Sequence, residues 1–367
     1  MHKMKVTYIA ETSLTNKSAY SHHVIKMCDT FTKLDHDTIL ITSKKNFNFN
    51  YKKLKNDFAL KGKKSFKVLS FAKFNSENFF TRILFGIKAA VFLKNHKADL
   101  ILSRSIITSF ILSLFKIHHF LEIHSELKSF TKFIMVNLNF INSDYIVKII
   151  LISKALNKVF NLENKKILIL HDGVDIDNFK RQKIINNIKS ASYIGSFYKG
   201  RGIKLITNLA KNFGNLKFNL YGDKSKVLKS KISKIKNLKF CGFVKYKEVP
   251  KILSKSDILL MPYSNNVEVR AKGINTAKYC SPLKMFDYLA AGKIIISSKL
   301  DGINEVLKHN KNAILVKNFD YKSWEKSIFE ILDGKYNIKN IQKNSLKTAQ
   351  NFTWEKRAKK IIKARRI

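Results

Sequence analysis

Short β-branched or aromatic runs alternate with helical patterns along the whole chain, and the alternation starts afresh near its middle. In the first half the predicted strands are Lys5–Ala10, Thr38–Thr42, Phe66–Ser70, Asp99–Ser103, Phe120–His124, Val147–Ser153 and Ile167–His171. Helical spacing fills most of the gaps, which is the signature of a mainly parallel sheet with right-handed crossovers. In the second half the strands are Ser190–Gly195, Lys217–Tyr221, Leu238–Cys241, Asp257–Met261, Lys293–Ser297 and Ala313–Val316. Helices such as Gly202–Phe213, with Ile203, Ile206, Leu209 and Ala210 inward, separate them. With 367 residues and 45% hydrophobic content the chain can bury two cores. The expected architecture is therefore α/β, two doubly wound domains joined near residues 173–187. Ligands of such sheets bind at the carboxyl ends of the strands, and a central cleft faced by both domains would collect both sets.

The stretch YCSPLKMFDYLAAGKIIISS, residues 279–298, carries the most chemistry. Ser281 is suited to cap a helix and Pro282 to open it, which puts Leu283, Phe286, Leu289 and Ala290 on one apolar stripe that Gly292 ends. A loop-to-helix start of this kind offers free backbone N–H groups and a positive dipole end, and Lys284 adds a full charge. Diphosphate is the natural guest. One turn on, Asp287 is placed to accept hydrogen bonds from a ribose; the alternative is a capped helix packed on a sheet, with Asp287 solvated. A second loop, SFYKGRG at 196–202, follows the strand that ends at Gly195. Gly195, Gly200 and Gly202 would let backbone approach a ligand, while Lys199 and Arg201 supply phosphate donors beside a helix start. The loop matches neither the dinucleotide fingerprint nor the Walker lysine spacing, and glycine turns between strand and helix are usually structural. His124, flanked by Glu122 and Glu126, would face the cleft from the first domain, although a histidine after a strand is more often a packing residue.

Seventy Lys and Arg against 26 Asp and Glu give a net charge of +44, which suits polyanionic partners or an anionic membrane surface. Asparagine and isoleucine accompany the lysines throughout, a bias that an AT-rich genome produces without selection for binding. Cys28, Cys241 and Cys280 lack CxxC or Cys/His spacing, so neither a disulfide framework nor a zinc site is expected, and a reducing cytoplasm fits. The opening MHKMKVTYIA runs straight into a strand with no signal-peptide pattern. The longest apolar run, around Ile106–Phe115, is too short to span a bilayer. The last segment, Thr353–Ile367, sets Trp354, Ala358, Ile361 and Ile362 near one face of a basic helix, either to pack inward or to lie on a membrane. Alternating lysines and aromatics between Lys44 and Phe58 raise nucleic-acid binding as a competing reading, which leaves the helix start and the glycine loop unexplained.

Together these stretches resemble the retaining nucleotide-sugar glycosyltransferases of glycosyltransferase family 4, with the GT-B fold of two Rossmann-like domains. HDGVDIDNF (171–179) resembles the family's interdomain stretch, SYIGSFYKGRGIKLI its glycine-arginine and lysine-glycine loop, and NLKFCGFVKYKEVPKILSKSDILLMPY (237–263) its strand, base-contacting loop, helix and strand. SPLKMFDYLAAGKIIISS resembles the helix whose carboxylate holds the donor ribose, HFLEIHSEL a strand ending in a cleft histidine, and LISKAL the element before the hinge. Of the two glutamates eight positions apart that are common in the family, the first is Tyr279 here and the second Asp287; the arginine common after the glycine is Ser196.

The resemblance implies a donor site of Gly195, Ser196, Gly200, Arg201, Gly242, Phe243, Val244, Ser281, Leu283, Lys284 and Asp287, with the Gly242–Val244 loop at the base. Arg201 and Lys284 would stabilise the leaving diphosphate with no metal or other cofactor, and His124 would face the transferred sugar, so these three are the implied catalytic residues. The implied reaction moves a hexosyl or N-acetylhexosaminyl group from a nucleoside diphosphate sugar to a saccharide or lipid-linked acceptor with retention, in surface polysaccharide or lipopolysaccharide synthesis. A sugar-nucleotide epimerase on the same fold is the enzymatic alternative. The implied domains are 1–172 on the acceptor side, 173–350 binding the nucleotide sugar, and a basic C-terminal helix, 351–367, packed on the first. The implied place is the cytoplasm, peripheral to the inner face of the membrane.

Overall fold

The computed structural model describes residues 2–365 apart from 15–17, 44–49, 72–77, 128, 162–165, 181–183, 223–234, 269–273 and 318. The chain divides into two compact units, the first holding Met1–Ile152, Leu156–His171 and Trp354–Ile367, the second Ser153–Ala155 and Asp172–Thr353. In the first, β1 (Lys5–Ala10), β2 (Asp37–Thr42), β3 (Lys67–Ser70), β4 (Leu100–Ser103), β5 (His119–Ile123), β6 (Ile146–Leu151) and β7 (Ile167–Ile169) form one sheet in the order β3-β2-β1-β4-β5-β6-β7. In the second, β8 (Ser190–Ile194), β9 (Lys217–Tyr221), β10 (Leu238–Gly242), β11 (Ile258–Met261), β12 (Ile294–Ser298) and β13 (Ile314–Val316) run β10-β9-β8-β11-β12-β13. All pairs in both sheets are parallel. Strands β4, β5, β11 and β12 are buried at every position, which is why they lack the regular polar–apolar alternation of a half-exposed strand.

Strand ends differ from the expected ones by one or two residues. His124 lies just past β5, and the run expected to reach His171 stops at Ile169 because its last pairing is with Leu151, where β6 also ends. The stretch 44–58 singled out for its lysines and aromatics falls partly outside the described residues, at 44–49.

The strand order of the second unit reverses between β8 and β11, a topological switch point of the kind that opens a ligand crevice in a doubly wound sheet. These two strands pair only through Ala191–Ile258 and Ser192–Leu259 and then part. The helix Leu283–Ala291 bridges them beyond that point. Its Tyr288 hydroxyl accepts from the Ile194 N–H at 3.0 Å and donates to the Leu260 carbonyl at 3.4 Å. One side chain thereby holds the helix to the carboxyl ends of both strands.

The helix Trp354–Ala364 belongs to the first unit. Trp354, Ala358, Ile361 and Ile362 are all buried, so the apolar face that could have met a membrane is inside the core. On the same helix Arg357 is buried, donating to the carbonyls of Leu170 and His171 and forming an ion pair with the buried Glu122 of β5. Tyr8 of β1 donates to the other Glu122 oxygen. Burial works to raise the Glu122 carboxyl, but His23, Arg357 and His124 together hold it well below the usual carboxylate range. Among the described residues no helix is long and apolar enough to cross a membrane. Because removing one member of a buried pair strands the other charge, Arg357→Ala should lower stability by roughly 3–5 kcal/mol. Urea unfolding followed by far-ultraviolet circular dichroism measures this, and a loss below about 1 kcal/mol would show that the pair does not secure the helix.

Candidate functional site

The site of the second unit grows from the parting of β8 and β11. Tyr193 is buried near the end of β8, and its hydroxyl donates to the Ser196 carbonyl at 2.8 Å, folding the following loop back on the strand. Gly195 has φ +144°, and a Cβ there would run into the Lys284 ammonium. Its glycine is thus what admits that charge. Gly200 and Gly202, expected to clear room for a ligand, instead clear room for their own chain. A Cβ at Gly200 would strike the carbonyl of Asn266, and one at Gly202 would strike Pro262. The loop is tied to the segment after β11 by Ser264 N–H to the Gly200 carbonyl (3.0 Å) and Glu268 N–H to the Lys199 carbonyl (3.1 Å).

These contacts set Arg201 over Tyr263, its guanidinium carbon 4.6 Å from the ring centroid, with one terminal nitrogen donating to the Glu268 carbonyl at 3.1 Å. Among the described residues neither Arg201 Nε nor the Tyr263 hydroxyl completes a hydrogen bond of good geometry. Lys284, in the first turn of the bridging helix, lays its ammonium 3.7 Å from the Tyr193 ring centroid and 5.6 Å from that of Tyr263. That nitrogen is buried with no hydrogen-bond partner among the described residues. Burial first, and then the Arg201 charge, hold its pKa well below the usual lysine value, with Asp287 pulling weakly the other way. Two cations therefore share a low-dielectric corner lined by aromatic faces, and among the described residues neither is hydrogen-bonded to a carboxylate. An anion entering here would find a vacancy for its charge.

The helix start differs from the expected one. Pro282, with φ −73° and ψ 133°, takes the cap position, and Ser281 lies one residue outside, buried. Proline's fixed φ suits the cap as well as the first helical turn, so spacing alone placed the boundary one residue early. The cap makes no side-chain hydrogen bond, which leaves the amides at Leu283 and Lys284 as donors at the positive end of the helix. Asp287 is buried, not solvated, and accepts from the Tyr246 hydroxyl at 3.0 Å. Tyr246 begins a short turn after β10, directly beyond Gly242, Phe243 and Val244. Gly242 has φ +80° with open space where a Cβ would stand, Phe243 is exposed, and Val244 packs on the core. The loop read as base-contacting is thus tethered to the residue read as ribose-binding. Tyr279, in place of the usual glutamate, is fully buried.

The second unit brings Gly195, Ser196, Arg201 and Lys284 together and joins Asp287 to the 242–246 loop. His124 belongs to the first unit, where its Nε2 lies 2.7 Å from Glu122 Oε1 and its ring meets His23 edge-on at 4.7 Å. Burial and the Arg104 charge push its pKa down to about 3 against the pull of Glu122. The imidazole is therefore neutral, donates from Nε2 to the carboxylate, and keeps Nδ1 as an acceptor. His23, Glu122 and His124 have ligand atoms within 4.8 Å of one another, a donor set that suits a metal. Yet Glu122 already accepts from Tyr8 and meets both histidines and Arg357, and the guanidinium supplies the positive charge an ion would bring. Tyr193, Tyr246 and Tyr263 were not singled out in the sequence, where an aromatic beside a strand end is indistinguishable from core.

Residues 190–334 match the family model described as glycosyl transferases group 1. An uncharacterized glycosyltransferase (MJ1069) of Methanocaldococcus jannaschii is 25% identical over 274 residues, 66% of this chain and 64% of that relative's length. The crystal structure of a glycosyltransferase from Rickettsia africae superposes with a TM-score of 0.77 at 14% identity, covering 100% of this chain and 98% of the other. Anabaena Alr3699/HepE, solved in complex with UDP-glucose, gives 0.72 at 15% identity over 98% of each chain. The fold is that of GT-B glycosyltransferases, and the match to the group 1 model lies within the second unit.

A lysine whose pKa is depressed by folding binds its proton more weakly in the native state than in the unfolded one, so it costs stability below its ordinary pKa and the cost fades as pH rises towards that value. Lys284→Met should accordingly raise the melting temperature of the ligand-free protein at pH 7, with the gain shrinking by pH 10. A gain independent of pH would mean that the ammonium is not held against its tendency to shed the proton.

Proposed function

We propose that the chain transfers a sugar from a nucleoside diphosphate sugar to a saccharide or lipid-linked acceptor, with retention of anomeric configuration. The observation that carries this reading is the pair Arg201 and Lys284, half-buried residues whose Nε and Nζ atoms are shielded from solvent, with no carboxylate hydrogen-bonded to either among the described residues. A diphosphate bridging them, with the amides at Leu283 and Lys284, would neutralise both charges, and the same contacts would strengthen as negative charge develops on the leaving group. Asp287, steadied by Tyr246, would accept the ribose hydroxyls, and the Gly242–Val244 loop would lie against the base. His124 is assigned a contact with the transferred sugar as a neutral imidazole. No metal is required where two cations balance the diphosphate. The bond between the acceptor oxygen and the anomeric carbon forms on the face from which the diphosphate departs, and the acceptor's proton passes to the departing phosphate oxygen. Hexose and N-acetylhexosamine donors carrying uridine diphosphate are the first to test, since structurally similar HepE was solved with UDP-glucose. Surface polysaccharide or lipopolysaccharide synthesis is the proposed setting.

Arg201→Ala should lower the rate of sugar transfer roughly hundredfold while the melting temperature of the ligand-free protein changes little. Asp287→Asn should lower donor kcat/KM by roughly tenfold to a hundredfold, the effect of weakening a charged hydrogen bond. Asp287→Glu, which keeps the charge, should retain more activity, and Tyr246→Phe should fall between. Steady-state kinetics with a hydrolysis-resistant acceptor assay decides the matter; equal kcat/KM in the parent and the asparagine variant would remove Asp287 from the donor site.

A further inference from the structure

Among the described residues the first unit exposes a continuous apolar ridge. The helix Phe79–Asn95 buries Phe85, Ala89, Ala90 and Leu93, yet Phe80, Leu84, Ile87 and Val91 stand exposed at 73%, 52%, 37% and 49%. Their spacing of four, three and four residues makes one stripe along the outer side of the helix. At its N-terminal end Phe79 meets Phe130 edge-on at 4.7 Å, and Phe130 lies 6.4 Å from Phe133, so the ridge continues onto the segment 129–138, where Val136 and Leu138 are also exposed. A soluble surface seldom keeps so many large side chains in one patch without a partner.

Charge identifies the partner. Between Glu77 and Asp99 the chain has Lys88, Lys94 and Lys97, together with Arg82, which pairs with Glu11, and no acid; between Glu126 and Asp144 it has two lysines and no acid. The exposed Lys88, Lys94 and Lys132 flank the ridge. A second copy would bring the same cations to the contact on a chain of net charge +44, so self-association is opposed. A nucleic acid would satisfy the lysines and leave a row of leucine, isoleucine and valine in water. An anionic bilayer takes both, because phenylalanine and aliphatic side chains enter the acyl boundary while lysines reach the headgroups. We propose that the first unit docks on an anionic lipid bilayer through the Phe80–Val91 stripe and the adjoining phenylalanines. The basic helix Trp354–Ala364 does not serve, since its apolar face is buried. The inference stands apart from the transfer reaction, as vesicle binding needs no nucleotide.

Co-sedimentation of the full chain with phosphatidylcholine–phosphatidylglycerol vesicles tests it, using the triple variant Phe80→Ser, Leu84→Gln, Val91→Gln. The expected result is binding by the parent and a loss of at least about tenfold in the variant, with no change in melting temperature because the three side chains are exposed. Both native tryptophans are buried, so Phe80→Trp adds a clean reporter whose emission should shift to the blue on vesicles. Failure of the parent to bind, equal binding by the triple variant, or self-association relieved by that variant would each overturn the proposal.

Discussion

Strands β8 and β11 stay paired for two residues and then separate, and the chemistry of the second unit depends on that separation. A parallel sheet whose strand order reverses must open there, since the crossovers on either side leave to opposite faces. The opening exposes backbone groups that need partners. Tyr288 supplies them from a helix, and in doing so fixes where that helix begins. The first turn then delivers Lys284 into a space that only a glycine at 195 can leave open. From the other wall the 196–202 loop, held down on residues 262–268, delivers Arg201. Convergence of two cations is thus a consequence of backbone geometry, maintained against their mutual repulsion by packing.

Electrostatics gives the two units opposite designs. In the first, the buried Glu122 carboxylate is matched by Arg357, by two histidines and by a tyrosine hydroxyl, so the guanidinium charge faces a carboxylate. In the second, Arg201 and Lys284 gather positive charge with backbone and aromatic faces as their nearest company. Paired charges hold elements together, whereas gathered like charges store unfavourable energy that a ligand can relieve.

The sheets were legible because buried parallel strands need unbroken β-branched or apolar runs, and these survive in the sequence whatever the helices do; thirteen such runs anticipate the seven and six strands of the two sheets. Local signals fared less well where two residues could fill one role, as Ser281 and Pro282 could at the helix cap. Gly200 and Gly202 were read as room for a ligand, but positive φ and close approach to Asn266 and Pro262 explain them. Partnerships across long separations left no mark. Tyr246 and Asp287 are 41 residues apart, and Arg357 and Glu122 are 235 apart. No periodicity records such pairs. The exposed stripe on Phe79–Asn95 was equally hidden, since a helix that is apolar on every side looks buried until its surroundings are known.

The most direct test of the account is calorimetric titration of UDP from neutral pH up towards the ordinary lysine pKa, in two buffers of different ionisation enthalpy. If a diphosphate bridges Arg201 and Lys284, its charge opposes the burial and the Arg201 repulsion that depress the lysine pKa, so binding should draw a proton from the buffer as the pH approaches the ordinary lysine value. The account predicts proton uptake with the parent and its disappearance, together with much weaker binding, in Lys284→Met. Tight binding of UDP that takes up no proton and is unchanged in that variant would contradict it.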